Sequence, residues 1–161
     1  MRVEPLRLEW IEALIEGDVT FTERFGIIVL EGWAGFRDAL PHALDAAHRH
    51  DADPWGSHLF FDDDGALVGF GGFKGPPTEG EVEIGYAIAP ARQGRGLATV
   101  AARTLIDRAR DRGATRIIAH TLATPNASTA VLVRCGFTCT ETLADPDGGV
   151  DDVWRWELPL S

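Results

Sequence analysis

The sequence predicts an α/β sandwich, built on a mostly antiparallel sheet with one parallel strand–helix–strand crossover. Three observations carry that expectation. An apolar run, Val82-Glu83-Ile84-Gly85-Tyr86-Ala87-Ile88, leads through a glycine-bearing turn, Gln93-Gly94-Arg95-Gly96, into a long helical pattern. A hairpin pattern precedes this unit. A short buried-type strand, a capped helix and two more strands follow it.

Taken in order, Leu8, Ile11, Leu14 and Ile15 share one face of a helix of about three turns. A second helix is expected from about Gly35 to His50, striped by Phe36, Leu40, Ala43, Leu44 and Ala47, with Pro41 leaving its start open. Between them, Phe21, Phe25, Ile27 to Leu30 and Trp33 make an irregular stretch too apolar for a solvated loop. His58-Leu59-Phe60-Phe61 and Ala66-Leu67-Val68-Gly69-Phe70 flank an Asp64-Gly65 turn, a hairpin signature. After the break at Gly75-Pro76-Pro77, a strand is expected over about Glu81 to Ile88. Ala98, Ala101, Ala102, Leu105 and Ala109 repeat at helical spacing until Gly113 stops the helix. Arg116 to Thr121 is a buried-type strand, and Asn126 caps a helix ending at Cys135-Gly136. Two strands, about Phe137–Leu143 and Val150–Leu158, close the chain across Asp145-Pro146-Asp147-Gly148-Gly149. The expected order is two helices, three strands, helix, strand, helix, two strands.

The length fits one domain, residues 1–161, with an ordinary hydrophobic fraction of 45%. No run approaches the roughly 18 apolar residues of a membrane span, and the N-terminus lacks the apolar core of a signal peptide. Cys135 and Cys139 form no zinc-ligand pattern and are expected as reduced thiols in a cytoplasmic protein, with no metal. A net charge of −10 argues against nucleic acid as a partner. Yet Arg92, Arg95, Arg103, Arg108, Arg110, Arg112 and Arg116 gather in one short segment at and after the glycine turn. A strand, a glycine turn and a helix start make an anion site, because glycines admit a phosphate close to the backbone and the first-turn N–H groups point at it. A plain left-handed turn and cap would explain the glycines equally, but neither Gln93 nor the arginines.

With these motifs in this order, the chain resembles the GNAT acyltransferase superfamily. Gln93, Gly96 and Ala98 are similar to the family's Gln/Arg-x-x-Gly-x-Gly/Ala motif. Val82 to Tyr86 resembles the strand before it, and Asn126-Ala127-Ser128-Thr129 followed by Cys135-Gly136-Phe137 resembles the last helix and its following strand. The likeness covers about residues 57–145, in the flavour of the bacterial branch that includes ribosomal-protein N-acetyltransferases. It implies six to seven strands with helices on both faces. It also implies a helical acceptor-side part over 1–56, a coenzyme-binding core over 57–145 and a C-terminal strand over 146–161. The implied reaction carries acetyl from acetyl-CoA to a primary amine, small molecule or protein N-terminus, by direct attack in a ternary complex.

The resemblance also assigns residues. Gln93, Gly94, Arg95, Gly96, Leu97, Ala98 and Thr99 would hold the coenzyme pyrophosphate, Ala87 and Ile88 the pantetheine arm, and Asn126 the arm or its phosphate end. An alkylammonium with a pKa of about 10.4 must lose a proton before it attacks. Glu83 aligns with the strand glutamate used as base in some members, although it also reads as an outward-facing charge on a half-exposed strand. Glu81 and His120 are further candidates. The tyrosine that many relatives use to reprotonate the thiolate falls at Val133 here, and the one tyrosine, Tyr86, lies in the motif strand. Its absence keeps a second reading open, a catalytically weak or inactive acyl-CoA-binding module. Family members are monomers or homodimers.

Overall fold

A computed structural model describes residues 1–160. Seven strands form the sheet: β1 Arg2–Pro5, β2 Ser57–Phe61, β3 Leu67–Phe73, β4 Glu81–Ile88, β5 Arg116–Leu122, β6 Thr138–Ala144 and β7 Asp152–Pro159. They lie in the order β1-β2-β3-β4-β5-β7-β6. Every pairing is antiparallel except β4 with β5. Five helices accompany them: α1 Leu8–Glu16, α2 Asp18–Phe25, α3 Leu40–Arg49, α4 Leu97–Asp111 and α5 Ala127–Arg134. Helix α4 makes the single parallel crossover, as the sequence predicts.

The strands alternate their side chains between two apolar layers. Phe60 of β2 enters one layer with Ile84, Leu105, Ile117, Leu132 and Trp156, beneath α4 and α5. Its neighbours Leu59 and Phe61 enter the other with Trp10, Ile11, Leu14, Phe21, Trp33 and Leu40, beneath α1 to α3. The sheet is thus covered by helices on both faces.

Three expectations need correction. Strand β1 escaped the sequence reading because four residues carry no alternation; it forms by pairing Val3 with Phe60 at the edge of β2. Helix α2 lies inside the stretch expected to be irregular. Only Phe21 of its eight residues is buried, so it shows no stripe, and its boundaries are set by Gly17 and the left-handed Gly26. The helix expected from Gly35 begins at Leu40 instead, after a 3₁₀ turn at Arg37–Ala39, and Pro41 sits in its first turn, where a missing N–H costs nothing. No described helix is long and apolar enough to cross a membrane.

His58 is the one fully buried imidazole among the described residues. Its Nδ1 lies 2.9 Å from the Gly56 carbonyl, while Nε2 has no partner among the described residues. Burial, with help from Arg108 and Arg112, holds its pKa down to about 4. The unfolded chain takes up this proton near pH 6.5 and the folded chain only near 4. Stability is therefore expected to fall by about 3 kcal/mol as pH drops through that window, the unfolded state binding the proton first. Urea unfolding at pH 7, 5.5 and 4.5 checks this: His58→Phe flattens the slope between those values. An unchanged slope would remove His58 as its cause.

Candidate functional site

The turn between β4 and α4 builds the floor of the site. Gly94 and Gly96 both take left-handed backbone, with φ of 78°, which a side chain adopts only with strain. The result points the N–H groups of Gly94 through Thr99 away from any backbone acceptor among the described residues. Six donors at the head of a 15-residue helix are a cradle for a phosphate group. The Thr99 hydroxyl is buried there with no hydrogen-bond partner among the described residues, a second orphaned donor group facing the same space. Gln93 works structurally: its side-chain amide donates to the Ile88 carbonyl at 3.0 Å and ties the turn back to the strand.

The cradle continues into a cleft of about 430 Å³. Tyr86, Ala87 and Ile88 of β4 line one side, and Ala127, Ser128 and Val131 of α5 the other. It exists because β4 and β5 part company. They pair only at Glu81–Arg116, Val82–Ile117 and Glu83–Ile118. From Ile84 onward the β5-facing edge of β4 has no strand beside it, the opening into which an extended chain fits as an added strand would. Of the residues proposed from the sequence, Ala87, Ile88, Gln93, Gly94, Gly96, Leu97, Ala98 and Thr99 line this cleft. Arg95 does not; Arg92 and Arg134 supply the positive charge at its wall, and Arg92 is also 3.4 Å from Asp62. Asn126 stands just outside, its carboxamide oxygen taking the Thr129 N–H at 2.9 Å in a capping box.

Tyr86 spans the cleft. Its hydroxyl donates to the Ser128 carbonyl at 3.1 Å and receives the Ser128 hydroxyl at 3.4 Å. Burial pushes the phenol up to about 12, against the lowering by its Ser128 contact, so it remains protonated at working pH. Val133, where the resemblance implies a tyrosine, is 61% exposed and outside the lining.

On the opposite face of the sheet, Glu81, Glu83, Gly85 and Ala87 point away from α4 by strand alternation. Glu81 is bound by Arg155 at 2.7 Å and Arg116 at 3.1 Å, a structural pairing that leaves it unsuited as a base. Glu83, its side chain 18% exposed, has two nitrogens against Oε2: Lys74 Nζ at 2.9 Å and His120 Nδ1 at 3.1 Å. Lys74 also reaches Asp147 at 2.9 Å. Burial lowers the Lys74 pKa, but the contacts with Asp147 and Glu83 outweigh it and raise it overall, so it stays an ammonium. The sequence reading missed Lys74, the chain's single lysine. Only its register, with its N–H on the Glu83 carbonyl at 2.9 Å, brings it there. Trp33 and Trp156 are buried core residues.

The model of the acetyltransferase (GNAT) domain matches residues 5–138. No curated protein matches the sequence. Among solved structures, the ribosomal-protein-alanine N-acetyltransferase of Brucella melitensis aligns at a TM-score of 0.70 and 21% identity, over 99% of this chain and 100% of that one. The yncA protein of Salmonella typhimurium, solved with its cofactor acetyl-CoA, aligns at 0.70 and 20%, over 99% and 94%. The ribosomal-protein-S18-alanine N-acetyltransferase of Escherichia coli aligns at 0.58 and 19%, over 73% and 77%. At these identities the likeness is one of fold.

Proposed function

We propose, from the premise that the chain belongs to the acetyltransferase (GNAT) domain family, that it transfers acetyl from acetyl-CoA to a primary amine. Acetyl-CoA-dependent acetyl transfer is general to the family; the acceptor class and the residue roles are this proposal. The observation that carries it is the continuity of the phosphate cradle with the opened edge of β4. A ligand with an anionic head and a long polar arm fits that shape. The N–H groups of Gly94 to Thr99 would take the pyrophosphate, with Arg92 and Arg134 beside them, and the edge at Ala87 and Ile88 would take the arm. A backbone N–H there would polarise the thioester carbonyl. Glu83 would drive removal of the amine proton, so that the amine attacks directly in a ternary complex. The whole chain, 1–161, would act as one acyltransferase unit in the cytoplasm, as a monomer or homodimer.

A second reading, an acyl-CoA-binding module without turnover, rests on Val133, which stands where the family resemblance implies the acid. Thiol release from acetyl-CoA, measured from pH 6 to 9 with a panel of primary amines, separates the two. The transferase reading expects amine-dependent release and a kcat about tenfold or more lower in Glu83→Gln. Tight coenzyme A binding with no release for any amine would leave the module reading standing.

A further inference from the structure

We propose that His120, oriented by Glu83, is the group that takes the proton from the acceptor amine, and that the amine reaches it over Gly85. This rests on the transferase reading and deepens it. Glu83 faces Ile118 in the last pair before β4 and β5 separate. Two residues on, Gly85 and His120 stand at the same level on the same face, on opposite sides of the opening. Residues advance about 3.3 Å along a strand, so Ala87 lies about 13 Å beyond Glu83 but only about 6.6 Å beyond the Gly85 level. A thioester held at Ala87 and Ile88 is therefore two side-chain rows from Glu83 and one row from His120.

The contacts agree with that division of labour. Glu83 Oε2 is already committed to an ammonium and a ring nitrogen. A carboxylate that receives the Nδ1–H of an imidazole fixes its tautomer and leaves the Nε2 lone pair as the proton acceptor. The same carboxylate then stabilises the imidazolium that forms. The groups around His120 are Glu83 of β4, Lys74 beyond β3, and Arg155, its partner on β7, whose guanidinium is turned to Glu81 and Glu157. His120 itself is only 13% exposed.

Gly85 supplies the approach. A Cβ built there meets no atom within 4 Å, and its partner on β3 is Gly72, so neither strand sets a side chain in front of His120. In the step, the acceptor ammonium gives a proton to His120 Nε2, and the freed nitrogen lone pair attacks the thioester carbonyl. The C–N bond forms and the C–S bond breaks. The thiolate is protonated by water, and His120 and the new amide nitrogen release their protons to solvent. His120 is the catalytic residue in this scheme and Glu83 a positioning residue.

Two measurements test it. The first needs no turnover: ¹⁵N side-chain spectra of the neutral histidines should show His120 as the Nδ1–H tautomer, with Glu83→Gln weakening that preference. An Nε2–H tautomer in the wild-type protein overturns the proposal. The second is kinetic. His120→Gln should lower kcat about a hundredfold or more, in the range of general-base catalysis, and abolish the acid limb of the kcat/KM profile. Glu83→Gln should keep that limb. Gly85→Val should raise the KM for the amine about tenfold while coenzyme A binding is unchanged. An acid limb that survives His120→Gln and vanishes in Glu83→Gln would make Glu83 the base. A wild-type protein that shows the Nδ1–H tautomer but releases no thiol with any amine would sink the transferase reading and leave the Glu83–His120 pairing in place.

Discussion

Gly96→Asp is expected to weaken coenzyme A binding about a hundredfold, while Gly96→Asn weakens it tenfold at most. Gly96 stands immediately before α4 with left-handed backbone, and a Cβ there meets no atom within 4 Å. Asparagine and aspartate are the side chains that tolerate this conformation best, so both variants should fold. They differ only in charge. A carboxylate placed about 4 Å from a phosphate interacts unfavourably by about 4 kcal/mol at an effective dielectric of 20. Arg92 and Arg134 at the cleft wall offset part of that, leaving about 2–3 kcal/mol, which is the hundredfold change. Titration calorimetry with coenzyme A reads it directly. Equal weakening in the two variants would mean that the turn does not face an anion.

What the sequence makes visible here is whatever is coded over short distances. The strand over Glu81–Ile88, the glycine turn, the long helix and the Asn126 cap each declare themselves within a few residues, because turn chemistry and periodicity are local. The fork between β4 and β5 does not. It is a failure of two strands to pair beyond Glu83–Ile118, and nothing in either strand alone says where pairing stops. Lys74 and His120 meet at Glu83 from positions nine residues before and 37 after it, so the cluster exists only in the folded sheet. The role weighed for Gln93 shows the same limit. The motif marks the residue, but only the hydrogen bond to Ile88 shows that its side chain shapes the loop. Tyr86 is similar: the sequence places it in the motif strand, and only the fold turns its hydroxyl across the cleft to Ser128.

Gly71→Ala should destabilise the protein by about 1–3 kcal/mol, the usual cost of overpacking, and lower its Tm by several degrees. Gly71 pairs with Tyr86, and a methyl group there would meet the Gly85 carbonyl oxygen, the Tyr86 Cα at 2.7 Å and the Phe60 ring at 2.9 Å. Two of those three neighbours are backbone of β4, which cannot swing aside as a side-chain end can. Strand β4 must move, and it is the strand that carries Glu83, Gly85 and the edge at Ala87 and Ile88. Its own Gly85 offers the contrast, because a methyl group there touches nothing. Gly85→Ala should therefore melt within about 0.5 kcal/mol of wild type, as a substitution that meets no neighbour does. A thermal melt of the two variants side by side checks both. If Gly71→Ala melts like wild type, the close approach of β3 to β4 is not what holds the site strand in place. If it melts low and Gly85→Ala does not, the two glycines differ in packing: one lets the sheet close against Phe60, and the other faces open space.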